Sequence, residues 1–222
     1  MLLRINPEAT DSKNYNMESV KSNKRIILAS ASPRRRELLS LVTDNFEIIT
    51  ADVDERAAEI QMEEEGVPAL KVSERLAQIK AEAVFANLSD GEKDNTVVIG
   101  ADTSVILDDV IYGKPEDRDD AVRMLSLMSG KVHVVATGVA LITRSEKRLF
   151  TEVTHVEFNA LDDYQNALIS DYCDSRSPFD KAGAYGIQDK GSLLIKRIDG
   201  DYSNVVGLPV ARLARELSVM VK

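Results

Sequence analysis

The sequence has too few cysteines and histidines for the sites that these residues usually build. It contains one cysteine, Cys173, and two histidines, His133 and His155. A lone cysteine cannot close an internal disulfide, and three such residues cannot form a zinc site of the Cys/His kind. This scarcity fits a reducing compartment.

Basic charge and long hydrophobic runs are also lacking. Lys and Arg number 28 against 37 Asp and Glu, which gives a net charge of −9. Because nonspecific nucleic-acid binding needs a basic surface, this balance argues against a nucleic-acid partner. No apolar run approaches the roughly 18 residues that span a bilayer, so we expect no membrane helix. The acidic residues instead supply the oxygen ligands that Mg²⁺ and Mn²⁺ prefer.

The length of 222 residues and the hydrophobic share of 44% are ordinary for one globular domain or two closely packed lobes. Residues 1–22 differ from the rest, since they are polar, show no sustained hydrophobic period and lack the apolar core of a signal peptide. We therefore predict a flexible N-terminal extension over residues 1–22 and a single domain over residues 23–222.

Hydrophobic patterning after residue 24 alternates between short apolar runs and amphipathic stretches. It predicts strands at 25–29, 46–51, 96–100, 131–144, 149–158 and 192–198, and a hairpin at 104–112. It predicts helices after Ser32 and at 73–88, 116–128, 161–173 and 208–221. Strands and helices alternate early, and paired strands follow. The fold class is therefore α/β, with a mixed twisted sheet, flanking helices and two lobes around a central cleft.

The turn between the first strand and the first helix carries three consecutive arginines. Ser32 is a good N-cap, and Pro33 fits the first helical position. Free backbone N–H groups at a helix start bind anions, and Arg34 and Arg35 add guanidinium groups suited to phosphate. The alternative is a solvated basic first turn. Cations at the start of a helix oppose its dipole, so three arginines there need an explanation, and a bound anion supplies one. We therefore favour the anion site, with Arg36 at the surface.

Gly100-Ala-Asp-Thr103 directly follows the apolar run Val97–Ile99. If the strand ends there, Asp102 lies at the edge of the sheet, where α/β proteins bind ligands. Its carboxylate could then activate water or bind a cation. The alternative is a turn aspartate that caps a backbone N–H group, and spacing alone does not decide between the two.

Two further features each have a functional and a structural interpretation, and a third is interpreted as structural only. Lys114, between Gly113 and Pro115, is either a fixed charge for phosphate or a surface lysine at a hairpin exit. Gln188 follows several small residues and offers an amide donor and acceptor suited to the edge of a base, but this stretch could equally be a glycine-rich turn. His133 alternates with apolar neighbours and is interpreted as structural.

Eight motifs in consistent order resemble those of the Maf family of nucleoside triphosphate pyrophosphatases. They are Leu28-Ala-Ser-x-Ser-Pro-Arg-Arg35, Asp54-Glu55, Leu76-Ala-x-x-Lys-Ala81, Gly100-Ala-Asp-Thr103, Gly113-Lys-Pro115, Ser129-Gly-Lys-x-His133, Asp180-Lys-Ala-Gly-Ala-Tyr-Gly-Ile-Gln188 and Gly200-Asp-Tyr-x-x-Val-Val-Gly-Leu-Pro209. One such motif alone would be weak, whereas eight in family order make a chance match improbable.

This resemblance implies a Maf and inosine triphosphatase-like fold and hydrolysis of a nucleoside triphosphate to its monophosphate and pyrophosphate. It makes Asp102 the general base and places the family's specificity positions at Arg34, Thr103 and Gln188. The stretch from Ala182 to Gln188 is similar to that of the branch acting on dTTP and UTP, whereas the branch acting on 7-methyl-GTP differs there. Family members are generally cytoplasmic and often dimeric, so we expect a cytoplasmic location and a homodimer.

The resemblance and the charges together give a full set of expected site residues. The catalytic residue is Asp102, and a cation, Mg²⁺ or Mn²⁺, is expected on Asp54, Glu55 and Asp102. The substrate-binding residues are expected to be Ser32, Arg34, Arg35, Lys80, Thr103, Lys114, Lys181 and Gln188.

Two alternatives to this function remain. One is a nucleotide-binding regulator of cell division without significant turnover. The other is a pyrophosphatase for methylated or other non-canonical nucleotides, including modified pyrimidine triphosphates. The presence of Asp102 favours catalysis, because a silent binder has no need of a base.

Overall fold

The computed structural model describes residues 23–50 and 52–221. The predicted extension over residues 1–22 lies outside the described residues, so the division into an extension and one domain stays a prediction. The strands are β1 (Arg25–Leu28), β2 (Glu47–Ile48), β3 (Thr96–Leu107), β4 (Val110–Tyr112), β5 (Val132–Ile142), β6 (Lys147–Phe158) and β7 (Ile195–Asp199). The α-helices are α1 (Pro33–Ser40), α2 (Glu55–Glu64), α3 (Ala69–Ala86), α4 (Asp90–Asp94), α5 (Arg118–Met128), α6 (Asp163–Asp174), α7 (Tyr202–Val206) and α8 (Val210–Met220). Short 3₁₀ turns occur at Ser177–Asp180, Ala182–Ala184 and Lys190–Leu194.

One seven-stranded mixed sheet organises the described residues. Its order is β2-β1-β3-β5-β6-β7, and β4 pairs with β3 off this path. β1 runs parallel to both β2 and β3, whereas β3, β5, β6 and β7 pair antiparallel in turn. The predicted α/β class, with a mixed sheet and flanking helices, is therefore confirmed.

The long central strands connect two separate apolar cores. At one end, Leu39 of α1 and Leu213 of α8 are fully buried against the sheet. At the other end, Leu125 of α5 and Ile169 of α6 pack against the far halves of β3 and β5. The opposite face of the sheet is covered by α3, whose Ala77 contacts β3 and β5 residues in a third cluster. These two cores correspond to the predicted lobes.

The strand that was predicted to stop at Gly100 continues without a break to Leu107. Asp102 pairs with Gly138 of β5 in the middle of the sheet, so its predicted place at a strand end was wrong. A Cβ atom at Gly100 would collide with the carbonyl oxygen of Ala77 in α3. The glycine therefore permits close packing of a helix on a continuous strand and does not end that strand.

Several elements differ from the hydrophobic pattern. The helix α2 was not predicted, because Met62 is its single buried residue and glutamates make up much of its sequence. The strand predicted at 46–51 contains only the two residues of β2, and the last strand begins three residues later than expected, after a 3₁₀ turn. In the described part of the chain, no helix has the length and apolar character needed to cross a membrane.

Candidate active site

A cleft of about 720 Å³ opens between the two apolar cores. Its volume lies in the usual range for small-molecule sites. Its walls come from the start of α1, the middle of β3, the turn after β4, and the segments 180–189 and 205–207. All eight predicted substrate-binding residues line it, together with Asp102 and Glu55; the eight are Ser32, Arg34, Arg35, Lys80, Thr103, Lys114, Lys181 and Gln188.

The first helix starts as its sequence predicts. The Ser32 side chain accepts a hydrogen bond from the backbone N–H of Arg35 at 3.5 Å, and Pro33 occupies the first helical position. Arg36 N–H donates to the Ser32 carbonyl, so the N–H of Arg34 is the one left in this turn for a ligand, at the wall of the cleft where the helix dipole favours negative charge. Arg36 is exposed and does not line the cleft, in agreement with its predicted surface position.

Arg35 places a cation in the cleft wall, and its hydrogen-bond partners are all neutral. Its Nε donates to the carbonyl oxygen of Gly207 at 3.0 Å, its Nη1 to Ser30 Oγ at 3.4 Å and its Nη2 to Thr103 Oγ1 at 3.1 Å. Burial lowers the pKa of Arg35, and the nearby charge of Asp102 opposes this effect. Three of the five guanidinium N–H groups are thereby used. A partly buried cation held only by neutral acceptors favours binding of an anion.

Lys80 of α3 joins two carboxylates on the opposite wall. Its Nζ lies 2.6 Å from Asp102 Oδ1 and 2.8 Å from Glu55 Oε2, and both Lys80 and Asp102 are largely buried. Glu59, one turn after Glu55, faces the same group: partial burial raises the pKa of its carboxyl, and the charges of Asp102 and Glu55 raise it further. Sequence reasoning missed Glu59, because the helix that carries it was not predicted.

Asp54 is not brought to the other two expected metal ligands. Its Oδ1 accepts a hydrogen bond from the backbone N–H of Ala57 at 2.9 Å and so caps α2, and it does not line the cleft. Within residues 23–50 and 52–221, no three His, Cys, Asp or Glu side chains are arranged to hold a metal ion by themselves. The assignment of Asp54, Glu55 and Asp102 as metal ligands stays a prediction.

The mouth of the cleft is bridged by Asp180, a second residue that sequence reasoning did not assign to the site. Its carboxylate accepts hydrogen bonds from Arg34 Nη1 at 3.0 Å and from Lys181 Nζ at 2.7 Å. Partial burial by itself would raise the pKa of Asp180, but these two cations outweigh burial and lower it. Together with Lys80, three of the predicted substrate-binding cations therefore already hold a carboxylate. Lys114 is exposed at the cleft wall.

Gln188 lies exposed at the rim of the cleft, beside a rigid anchor. The carboxylate of Asp189 accepts hydrogen bonds from the Tyr172 hydroxyl at 2.9 Å, the Ser177 hydroxyl at 2.6 Å and the Gly191 N–H at 2.8 Å. These bonds outweigh burial and lower the pKa of Asp189. The three hydrogen bonds hold Asp189 in place and so fix the backbone next to Gln188. No local pattern singled out Asp189, because its partner Tyr172 lies on another element.

His133 takes the predicted structural place, with one difference. It is 1% exposed, and its Nε2 lies 2.8 Å from the Tyr185 hydroxyl. Its ring packs edge-on against Phe158 and Tyr185. Its Nδ1 has no hydrogen-bond partner, and burial lowers the pKa of His133 to about 4. The residue is thus a neutral core histidine, although only one of its ring nitrogens is bonded.

Comparisons with known proteins agree on one family. The family model described as Maf-like protein matches residues 25–220. A dTTP/UTP pyrophosphatase of Acetivibrio thermocellus is 47% identical over 194 residues, which cover 86% of this chain and 92% of the relative. Proteins of the same name from Bacillus cereus and Carboxydothermus hydrogenoformans are each 46% identical, over 87% of this chain and 94% and 97% of their own lengths.

Proposed function

Because the chain belongs to the Maf family, we propose that it hydrolyses dTTP and UTP to the nucleoside monophosphate and pyrophosphate. The observation that carries this proposal is the pairing of two opposed walls in one cleft. Arg35 at the start of α1 presents a cation bonded only to neutral oxygens. Facing it, Asp102 presents a carboxylate that Lys80 holds at 2.6 Å. Relatives that share 46–47% of their sequence with this chain are named for the same reaction.

In the proposed complex, the triphosphate lies along the basic wall. The two free N–H groups of Arg35 and the first turn of α1 bind phosphate oxygens, while Lys114 supplies a further charge. Arg34 and Lys181 bind phosphate by exchanging the Asp180 carboxylate for it, since both already hold that carboxylate as a ligand. Fixed cations stabilise the negative charge that spreads over a phosphoryl group in the transition state.

Hydrolysis then requires one proton transfer and one bond exchange. The oxygen of a water molecule attacks the α-phosphorus and gives a proton to Asp102. The bond from the α-phosphorus to the bridging oxygen breaks, and pyrophosphate leaves with that oxygen. Lys80 keeps the Asp102 carboxylate oriented in the cleft through their short ion pair. General-base assistance of this kind contributes about 10²–10⁴-fold to a rate.

Glu55 and Asp102 fit a divalent cation shared with the substrate. One oxygen of each carboxylate contacts Lys80 Nζ, at 2.8 and 2.6 Å, so the two groups lie close together, and a cation would bind the carboxylate oxygens that Lys80 does not occupy. Mg²⁺ is commonly bound by one or two carboxylates together with substrate phosphates and water, so a complete protein cage is not required. When bound, the cation screens the charge of the triphosphate. The family resemblance favours Mg²⁺ or Mn²⁺, and a homodimer in the cytoplasm stays a prediction.

A screen for pyrophosphate release from canonical and modified nucleoside triphosphates tests this proposal. We expect dTTP and UTP to give the highest specificity constants. Arg35→Ala should reduce turnover strongly, whereas the matched variant Arg36→Ala should behave as the unchanged protein, because Arg36 is exposed outside the cleft. Binding of nucleotides without release of pyrophosphate would favour the regulator of cell division instead. A clear preference for a methylated or other modified nucleotide would favour the second alternative.

A further inference from the structure

A line of hydrogen bonds runs from Arg35 into the core behind the cleft. Arg35 Nη2 donates to Thr103 Oγ1 at 3.1 Å, and Thr103 Oγ1 lies 3.0 Å from Thr137 Oγ1. Thr137 in turn donates its hydroxyl proton to the backbone carbonyl of Asn204 at 3.0 Å. Thr137 is fully buried and does not line the cleft.

Counting protons fixes the direction of this line. A threonine hydroxyl has one proton, and Thr137 uses its proton on the Asn204 carbonyl, which can only accept. The bond between the two hydroxyls must therefore be donated by Thr103. Thr103 can then offer Arg35 only a lone pair, which is what a guanidinium needs. Every hydrogen bond in the line is donated in the same direction, from the Arg35 guanidinium towards the Asn204 carbonyl. The bonds of such a chain polarise and so strengthen one another.

The register of the sheet makes this arrangement possible. Thr103 of β3 and Thr137 of β5 are directly opposite each other in the antiparallel ladder, so their side chains lie on the same face at short distance. The carbonyl that ends the line belongs to α7, and the segment just after α7 supplies the Gly207 carbonyl that binds Arg35 Nε. Arg35 is thus held on two sides by residues 204–207.

We propose that Thr137 is a positioning residue for phosphate binding, which orients the Arg35 guanidinium through Thr103. This inference rests on the proposed function, since it assumes that Arg35 binds the triphosphate. It also implies that the Thr103 hydroxyl, whose proton is committed to Thr137, acts in the site by orienting Arg35 and not by donating a hydrogen bond to substrate.

The test uses Thr137→Val, which keeps the shape of the side chain and removes the hydroxyl. Two quantities are measured for the full-length protein: kcat/KM for dTTP and the dissociation constant of inorganic tripolyphosphate. Loss of a buried hydrogen bond in such a line should reduce kcat/KM and weaken tripolyphosphate binding by about five- to tenfold. Thr137→Ser restores the hydroxyl and should stay within about twofold of the unchanged protein in both.

A matched control separates this effect from general damage to the core. Thr143 follows β5, is 7% exposed, and its hydroxyl donates to the Glu146 carbonyl at 3.2 Å. It contacts no residue of the line from Arg35 to Asn204. Thr143→Val should therefore lower the melting temperature without changing either dTTP turnover or tripolyphosphate binding.

A double-mutant cycle with Arg35→Lys decides whether Thr137 acts through Arg35. Lysine has no second guanidinium nitrogen to donate to Thr103. In the Arg35→Lys background, Thr137→Val should therefore change kcat/KM and tripolyphosphate binding by less than about twofold. Full additivity, or a Thr137→Val protein equal to the unchanged one, would overturn the inference.

If valine prevents folding, Thr137→Ala replaces it in the same cycle. If no triphosphate is hydrolysed at all, the proposed function fails, and tripolyphosphate binding alone still decides the role of Thr137.

Discussion

The residues of the cleft differ in how much of their hydrogen-bonding capacity is already used. Arg35 is fixed by three neutral acceptors, and Asp102 is fixed by Lys80. Gln188, by contrast, is exposed at the rim, and the backbone beside it is held by the bonds to Asp189. The Arg35 end of the cleft is thus preorganised by side-chain contacts, whereas Gln188 at the rim owes its position to its backbone. Substitutions at the two ends should therefore affect catalysis and specificity differently.

Replacing Gln188 with alanine should reduce discrimination between bases more than it reduces catalysis. An amide can pair with the imide edge that uracil and thymine share through one donor and one acceptor, whereas cytosine lacks the N–H group. A mismatched polar edge leaves buried groups unpaired and is rejected strongly, while a 5-methyl group changes apolar contact only. We expect similar specificity constants for dTTP and UTP with CTP well below both, and a flattened preference in Gln188→Ala. A variant that kept the full preference for UTP over CTP would show that Gln188 does not bind the base.

The buried His133 should make the folded state sensitive to mild acid. Burial lowers its pKa to about 4 in the folded protein, whereas an unfolded chain has a histidine pKa near 6.5. Between these values the unfolded state binds a proton that the folded state does not, so stability falls as the pH falls through this window. The slope is about 1.4 kcal/mol per pH unit. The free energy of unfolding of His133→Gln should therefore decline less steeply between pH 6.5 and 4. Parallel curves for the two proteins would contradict the shifted pKa.

Secondary-structure elements bring the walls of the cleft together through close packing of α3. Gly100 of β3 and Gly138 of β5 lie under this helix, and a Cβ atom at either would collide with its backbone. The contact lets Lys80 of α3 reach Asp102, which is paired with Gly138 across the sheet. The Lys80–Asp102 ion pair thus depends on two positions that have no side chain.

Adding one methyl group at Gly138 should therefore destabilise the protein. The new Cβ would overlap the backbone of Ser73 and Glu74, and overpacking of this kind costs about 1–3 kcal/mol or more. Urea unfolding of Gly138→Ala should give a lower midpoint with an unchanged slope. Gly91→Ala is the control, because no atom lies within 4 Å of a Cβ there, and its effect should stay within about 0.5 kcal/mol. Equal midpoints for both variants would show that α3 can move away without cost.

Local sequence predicted those elements and site residues whose signals are local. The Ser32-Pro33 start of α1 and the buried strand β1 follow from capping preference and apolar runs. The sequence could not show that β3 passes through Gly100, because the reason is a helix that packs on it from elsewhere in the chain. Contacts such as Arg35 to Gly207, 172 residues apart, also leave no local pattern. Asp54 was grouped with Glu55 as part of one motif of the family resemblance, whereas folding makes it a helix cap.

The whole molecule is acidic, yet it gathers five cations around one cleft. The net charge is −9, and the cationic lining residues are Arg34, Arg35, Lys80, Lys114 and Lys181. Carboxylates of Glu55, Asp102, Asp180 and Asp189 line the same cleft. A polyanionic substrate therefore approaches a negative surface and enters a site of mixed charge. A divalent cation bound to the triphosphate would offset both effects.

Removal of divalent cations should abolish turnover of dTTP. Glu55 and Asp102 lie close together, since each contacts Lys80 Nζ, at 2.8 and 2.6 Å, and oxygen ligands of this kind select Mg²⁺ or Mn²⁺. Activity should fall to background in excess EDTA and return when either cation is added beyond the chelator. Glu55→Gln should raise the Mg²⁺ concentration needed for half-maximal activity, whereas Glu63→Gln, on the same helix outside the cleft lining, should leave it unchanged. Full activity in excess chelator would rule out the cation.

The most direct test of the account separates turnover from binding in the variant Asp102→Asn. This substitution keeps the shape of the side chain and removes the carboxylate that accepts the proton of water, while Arg35 keeps its three acceptors. Single-turnover rates with dTTP and the dissociation constant of dTTP are measured on the same preparation. The account predicts a rate reduced by about 10²–10⁴-fold with nucleotide binding largely intact. A single-turnover rate within about threefold of the unchanged protein would contradict the role of Asp102 as the general base.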